Sequence, residues 1–261
     1  MTIHPSAVIE DGAVIGNDCS IGPFCHIGPQ VVLGAGAKLH SHVVIIGNTN
    51  IAPGARIFPF ASVGHEPQDL KYQGEATTLE IGENCLIREG VTMNPGTAGD
   101  AGKTVIGNNC YFLANSHVAH DCVIGDGVIF SNAVLLAGHC KVGSNVIIGG
   151  GAAVHQFCRI GDNAFIGGLA GVENDLIPFG MALGNRAYLG GLNLIGMKRA
   201  GVERESIHKA RKVFKDIFDG SGNLAENVAS VSDELREDAV VEKILDFIAD
   251  SGDRALCTPK S

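Results

Sequence analysis

The stretch HVAHDC, residues 117–122, sets His117 and His120 three apart, follows the second with Asp121 and ends on Cys122. Imidazoles ligate metals or move protons near neutral pH, since the unperturbed pKa of histidine is about 6.5. A neutral His120 could take a proton from an attacking hydroxyl. A carboxylate such as Asp121 would fix its tautomer and stabilise the imidazolium that forms. Neighbours on a strand point to opposite sides, so Asp121 can serve His120 only if the chain bends back between them. Two more histidines follow, His139 in LAGH (136–139) and His155 in VHQF (154–157). Metal site, acid/base pair and idle turn residues all remain open until the chain's own period places them.

That period is six. Large apolar residues recur at Ile9, Ile15, Ile21 and so on to Val63, resume at Ile81, Ile87 and Met93, and run again from Ile106 to Val172. Two residues before each stands a small or β-branched side chain, as at Ala7, Val43, Ser116 and Ala164. Gly with Asn or Asp often follows, residues that tolerate the positive φ of a corner. Each hexad is thus a short strand and a turn. Three make a triangular coil of about 18 residues, and coils stack about 4.8 Å apart in a parallel β-helix.

With faces a, b and c in chain order, Val63, Met93, Val118, Leu136, Val154 and Val172 share face c. Residues 64–79 and 94–103 interrupt the repeat, both at the corner after face c. His120, His139 and His155 fall at that corner on three successive coils, each roughly 5 Å above the last, with His117 just before it. Loops extruded beside a column of polar residues are what a binding cleft on a solenoid looks like.

The composition suits a regular, tightly turned solenoid: 36 glycines, no tryptophan and only 5% aromatic residues. Cys19, Cys25, Cys85, Cys110, Cys122, Cys140 and Cys158 all hold the small position of a hexad, so they should be buried thiols, not ligands or disulfides. A reduced, cytoplasmic protein is expected, and neither a secretory leader nor an apolar run of about 18 residues is evident. The net charge of -9 argues against general nucleic-acid binding.

After about residue 180 the hexads stop. Helical spacing runs from Leu192 through Phe218, and a second helical pattern from Leu224 to Ile248. The expected division is a β-helix over 1–188 and a helical domain over 189–261. Residues 198–215 carry Lys198, Arg199, Arg204, Lys209, Arg211, Lys212 and Lys215 against Glu203 and Glu205. This local reversal of charge is either a solvated helix face or a dock for an acidic carrier or a phosphate group.

Taken together, the hexads, QDLKY (68–72), HVAHDC, LAGH, VHQF, and GLN with MKR within 191–199 resemble the UDP-N-acetylglucosamine O-acyltransferases. Those enzymes open lipid A synthesis by moving an (R)-3-hydroxyacyl group from acyl carrier protein to the 3-hydroxyl of the sugar. The resemblance implies a left-handed parallel β-helix with a C-terminal α-helical domain, assembled as a homotrimer with clefts between subunits. It implies that His120 is the general base and that the Gly138 N–H holds the oxyanion, with Asp121 the partner the spacing itself offers. Gln68, Asp69, His117, His139, Gln156, Asn193 and Arg199 would bind the UDP-sugar; Lys71 and His155 would help place donor or nucleotide. Gly168 falls at the acyl-chain ruler, where a glycine should admit a long chain. Lys198, Arg204, Lys209, Arg211 and Lys212 would dock the carrier. No metal or other cofactor is implied. Asn94-Pro95, Ile195 and Ala200 depart from residues that some members carry.

Rival readings predict different features. An acetyl-CoA-dependent hexapeptide acetyltransferase would share base and fold but not QDLKY. The sister N-acyltransferase carries a uridine-binding domain ahead of its repeats, whereas here the repeat begins by Ala7. A carbonic anhydrase-like β-helix would need three histidines converging on zinc with a fourth position open. A non-enzymatic scaffold has no reason to gather histidines at one corner.

Overall fold

Each hexad folds as a short strand and a corner, and successive coils pair in register: His117 lies between Thr92 and Leu135, Val118 between Met93 and Leu136. Three parallel sheets result. Face a has eight strands, from Val14–Ile15 to Arg159–Ile160; face c has nine, from Val8–Ile9 to Gly171–Val172. Face b has eleven, from Thr2–Ile3 up to an antiparallel pair, Gly180–Leu183 with Tyr188–Leu192, that closes the top. This is a computed structural model, and it describes residues 1–218, 222–250 and 254–260. Residues 219–221, 251–253 and 261 of the expected helical domain therefore lie outside the described residues.

The apolar hexad position points inward throughout. From Ile21 to Val172 it is never more than 3% exposed, and burying each such side chain stabilises by roughly 1.5–3 kcal/mol. All eight cysteines are buried and free. Burial pushes the Cys158 thiol up to about 12 and that of Cys257 up to about 11, away from the reactive thiolate.

The third residue of a corner repeatedly takes a left-handed conformation. Asn84, Asn109, Asn145 and Asn163 do so at φ of 55–58° after face a. After face c the same conformation falls on Asp121 (58°), His139 (61°) and Phe157 (66°). A bulky side chain there costs roughly 1–3 kcal/mol, strain of a kind that gathers at functional sites.

Both expected excursions occur, slightly shorter than their expected bounds. Thr78–Ile81 and Lys103–Ile106 are four-residue strands paired with each other, Thr78 to Lys103 and Leu79 to Thr104. The ladder thereby claims the ends of both loops, leaving 64–77 and 94–102. The boundary expected at 188/189 likewise runs through a strand, Tyr188–Leu192.

Among the described residues five helices follow: α1 (Leu194–Arg199), α2 (Arg204–Phe218), α3 (Leu224–Ala229), α4 (Asp233–Arg236) and α5 (Ala239–Ala249). The continuous pattern expected from Leu224 to Ile248 is broken into three: Asp238 caps α5, accepting from the amides of Val240 and Val241, and Ser232 holds the N-cap position of α4 without a side-chain hydrogen bond. α2 packs on α5, burying Ile207, Ala210, Val213 and Ile217 with Val241, Ile244 and Leu245. Arg159 fastens this unit to the β-helix through buried Asp175 at 2.7 Å, the Asp250 carbonyl at 2.7 Å and the ring of Phe247. The chain end returns to the top coil, where Cys257 N–H donates to Asp175 O and Leu189 N–H to Thr258 O. Among the described residues no helix is long and apolar enough to cross a membrane.

Candidate active site

The corner after face c bends the chain back as Asp121 requires. With φ at 58°, Asp121 turns its carboxylate toward its own neighbour, and His120 Nδ1 lies 2.9 Å from Asp121 Oδ2. The Asp121 side chain is 1% exposed and that of His120 14%. Loop 94–102 completes the carboxylate: Thr97 N–H donates to Oδ1 at 2.9 Å and the Thr97 hydroxyl to Oδ2 at 2.6 Å. Since a carboxylate only accepts, His120 carries its proton on Nδ1 and presents a bare Nε2.

His139 belongs to the same cluster. Its ring meets His120 edge-on at 4.9 Å between centroids and stacks on Phe157 at 4.5 Å. Its Nδ1 lies 2.9 Å from Asp100 Oδ2 and 3.9 Å from Asp121 Oδ2. The bond to His139 holds the Asp100 carboxyl below its usual range. His117 projects from the strand, Nδ1 2.7 Å from the Thr92 hydroxyl. Burial and the adjacent His120 lower its pKa, so it favours the neutral form.

The three-histidine column is only partly formed. His120, His139 and His155 are the second, third and first residues of their corners, so their side chains leave the coil in different directions. His120 and His139 meet, whereas exposed His155 turns to Arg254, whose Nη2 donates to Nδ1 at 2.8 Å.

Gly138 stands one coil above His120. A Cβ there would lie 2.7 Å from His120 Cε1 and 2.8 Å from Nε2, so any larger residue would push the ring out of its place. At the corner after face a, the amide equivalent to that of Gly138 is capped from the coil above: Asn108 N–H by Asp126 at 2.6 Å, Ser144 N–H by Asp162 at 2.9 Å. Gln156 overlies Gly138 without doing so, and among the described residues no acceptor takes the Gly138 N–H. A bare imidazole nitrogen and an unclaimed amide thus adjoin, as general-base acyl transfer demands.

The other expected site residues divide between places. Asp69, Lys71 and His139 line a cleft of about 360 Å³ together with Thr97, Asp100 and Phe157. Gln68 lies beside it in the same loop, exposed. Asn193 and Arg199 line a different cavity, about 570 Å³, against the outer side of face b with Ile129, Ile147 and Phe165. Asn193 is already engaged there: Oδ1 caps the Gly196 amide and Nδ2 donates to Asn163 O. Ile195 and Ala200 line this second cavity too, whereas Asn94 donates to His65 O and Glu66 O and ties the two loops together. Gly168 is exposed at the corner between faces b and c. Lys198, Arg204, Arg211 and Lys212 are exposed along α1 and α2; Lys209 pairs with Glu205 at 3.2 Å.

His120, Asp121 and His139 offer ligand atoms within 4.8 Å of one another. Zinc would need them about 2.0–2.2 Å from the ion. Here both Asp121 oxygens are engaged by hydrogen bonds of 2.6–2.9 Å from Thr97 and His120, so a metal taking this carboxylate as a ligand would have to displace bonds already made. The donor set fits a proton-handling site better than a zinc site.

Thr97, Asp100, Thr92 and Arg254 were not foreseen, since they lie outside the periodic histidine pattern. Phe157 was within reach, because it holds the same corner position as Asp121 and His139.

Comparison with known proteins bears on the fold and the family. Residues 175–257 match the family described as Udp N-acetylglucosamine O-acyltransferase; Domain 2, and residues 12–47 and 103–138 match Bacterial transferase hexapeptide (six repeats). The acyl-[acyl-carrier-protein]--UDP-N-acetylglucosamine O-acyltransferase of Rhizobium etli is 56% identical over 98% of this chain and 94% of its own length. That of Methylobacterium radiotolerans is 61% identical over 99% and 95%. The solved LpxA of Acinetobacter baumannii superposes with a TM-score of 0.94 at 42% identity, covering 98% of this chain and 100% of that one. The β-helix is left-handed, with a C-terminal helical region. Likeness of this extent along both full lengths is membership: the chain belongs to the UDP-N-acetylglucosamine O-acyltransferase family.

Proposed function

We propose that the protein transfers an (R)-3-hydroxyacyl group from acyl carrier protein to the glucosamine 3-hydroxyl of UDP-N-acetylglucosamine, in the cytoplasm, as a step of lipid A biosynthesis. The single observation that carries the mechanism is His120, fixed through Nδ1 to Asp121 with Nε2 beside the unclaimed Gly138 amide. His120 Nε2 takes the proton of the sugar hydroxyl as its oxygen attacks the thioester carbonyl. The Gly138 N–H donates to the oxyanion of the tetrahedral intermediate. Collapse breaks the C–S bond, and the thiolate recovers the proton from His120. Asp121 stabilises the imidazolium between the two transfers. The thioester is itself the activated acyl donor, so the sequence of steps calls for no metal, cofactor or covalent acyl-enzyme.

Asp69 and His139 in the smaller cleft, with Gln68, His117 and Gln156 beside them, bind the sugar near the base, and Lys71 and His155 help place donor or nucleotide. Arg199 and Asn193 hold the nucleotide, and Gly168 leaves the end of the acyl groove open. Lys198, Arg204, Lys209, Arg211 and Lys212 draw in the acidic carrier.

A homotrimer joins these parts. In one chain, face a separates the corner of His120 from the corner flanking the Arg199 cavity, and face c separates it from Gly168. One small ligand can touch all three only where a second copy brings its own face b and Gly168 against the His120 corner. The test is product analysis by mass spectrometry with UDP-N-acetylglucosamine and a ladder of 3-hydroxyacyl carrier proteins. A 3-O-hydroxyacyl nucleotide sugar is expected from wild type and none from His120→Ala.

A further inference from the structure

The interruption at 94–102 runs inward as well as outward. Asn94, Pro95, Gly96 and Thr97 are buried although they belong to a loop. Gly96 N–H donates to Thr78 O, and Asn94 binds the carbonyls of His65 and Glu66, so both excursions are fastened together before the chain reaches Thr97. Thr97 is 4% exposed and spends its amide and its hydroxyl on the two oxygens of Asp121.

This matters because Asp121 has little else to hold it. Its backbone is in the left-handed region, and its carboxylate has two rings within reach, His120 Nδ1 at 2.9 Å and His139 Nδ1 at 3.9 Å from the same Oδ2. The Thr97 amide fixes one oxygen and the Thr97 hydroxyl the other, which leaves Oδ2 aimed at His120. Without the hydroxyl, the loop would hold the carboxylate through the Thr97 amide alone, and Oδ2 could rotate about that bond from His120 toward His139. The same loop answers the second ring separately, through Asp100 at 2.9 Å from His139 Nδ1.

From this we infer that Thr97 is a positioning residue for the acyl transfer: its hydroxyl keeps the Asp121 carboxylate on His120 and thereby keeps the Nε2 of His120 free to act as base. The inference rests on the reading of His120 as general base. Thr97 also lines the cleft with Asp69 and His139, but its amide and its hydroxyl are both spent on Asp121. It acts through Asp121, so its loss should fall on turnover and spare binding of the sugar nucleotide.

The experiment compares full-length wild type, Thr97→Val and Thr97→Ser with UDP-N-acetylglucosamine and a 3-hydroxyacyl carrier protein. Valine keeps the shape and the backbone N–H but loses the hydroxyl. Thr97→Val should lower kcat roughly 10- to 100-fold, the worth of one hydrogen bond to a charged group, while KM for the nucleotide changes by less than about twofold. Thr97→Ser should restore kcat to within about threefold of wild type. Independently of any variant, the ¹⁵N spectrum of wild type should show His120 protonated on Nδ1. Wild-type kcat in Thr97→Val, or equal losses in the valine and serine variants, would overturn the role of Thr97 while an inactive His120→Ala keeps the base assignment intact. An Nε2–H tautomer for His120 would overturn it even if Thr97→Val failed to fold. Full activity in His120→Ala would instead remove the reading on which it rests.

Discussion

Gly138 abuts the His120 imidazole so closely that a β-carbon would stand 2.7 Å from Cε1. The same residue carries an amide that the coil above leaves uncapped. Gly138→Ala should therefore move the ring, and a displacement near 1 Å costs about 100-fold in turnover. The measurement is kcat together with Tm. A large drop in kcat with Tm little changed is expected, because the pressure falls on one ring at a corner of the coil and not on the aliphatic core.

Asp121→Asn tests the tautomer. Asparagine tolerates positive φ, so the corner should survive, but its amide can donate where the carboxylate only accepts. The ring can then turn its protonated nitrogen toward the substrate. Loss of kcat on the order of 100- to 10,000-fold is expected, read by steady-state kinetics, with normal assembly by light scattering.

Much of this was legible in the sequence because the β-helix converts position into direction. Ile21 through Val172 and the hexad cysteines all went inward as their phase required. The phase also brought His120 and His139 to one corner. It could not say that His155 would turn to Arg254, since a corner presents three exits and the period does not choose between them. Thr97 and Asp100 were invisible for a plainer reason: the loop carrying them has no period, and only the pairing of Thr78–Ile81 with Lys103–Ile106 folds it back. In the tail, apolar spacing located the helical region, while its division falls at the N-cap positions Ser232 and Asp238.

His117 gives a pH signature. Burial and its neighbour His120 depress its pKa below the ordinary value of about 6.5. The unfolded chain then takes up the proton first as pH falls. The associated stability is complete above about 6.5 and is lost as pH drops from there toward the folded pKa. Histidine titration by NMR should show His117 protonating below about 6.5, and His117→Gln should flatten the fall in Tm over that interval.

If the site is shared between copies, two inactive chains should rescue each other. His120→Ala and Arg199→Ala damage parts that lie on different sides of the prism. In randomly mixed trimers about one site in four would draw an intact His120 from one chain and an intact Arg199 from the next. Co-expression should recover about a quarter of wild-type activity. No recovery would place both parts of a site in one chain.

The base assignment faces its most direct test in single-turnover transfer from a 3-hydroxyacyl carrier protein to UDP-N-acetylglucosamine by His120→Ala, with the product followed by mass spectrometry. A folded, trimeric variant that forms the 3-O-acyl product at least about 100-fold more slowly than wild type is predicted. Transfer at the wild-type rate would contradict it, and the proton would have to leave the sugar hydroxyl by another route.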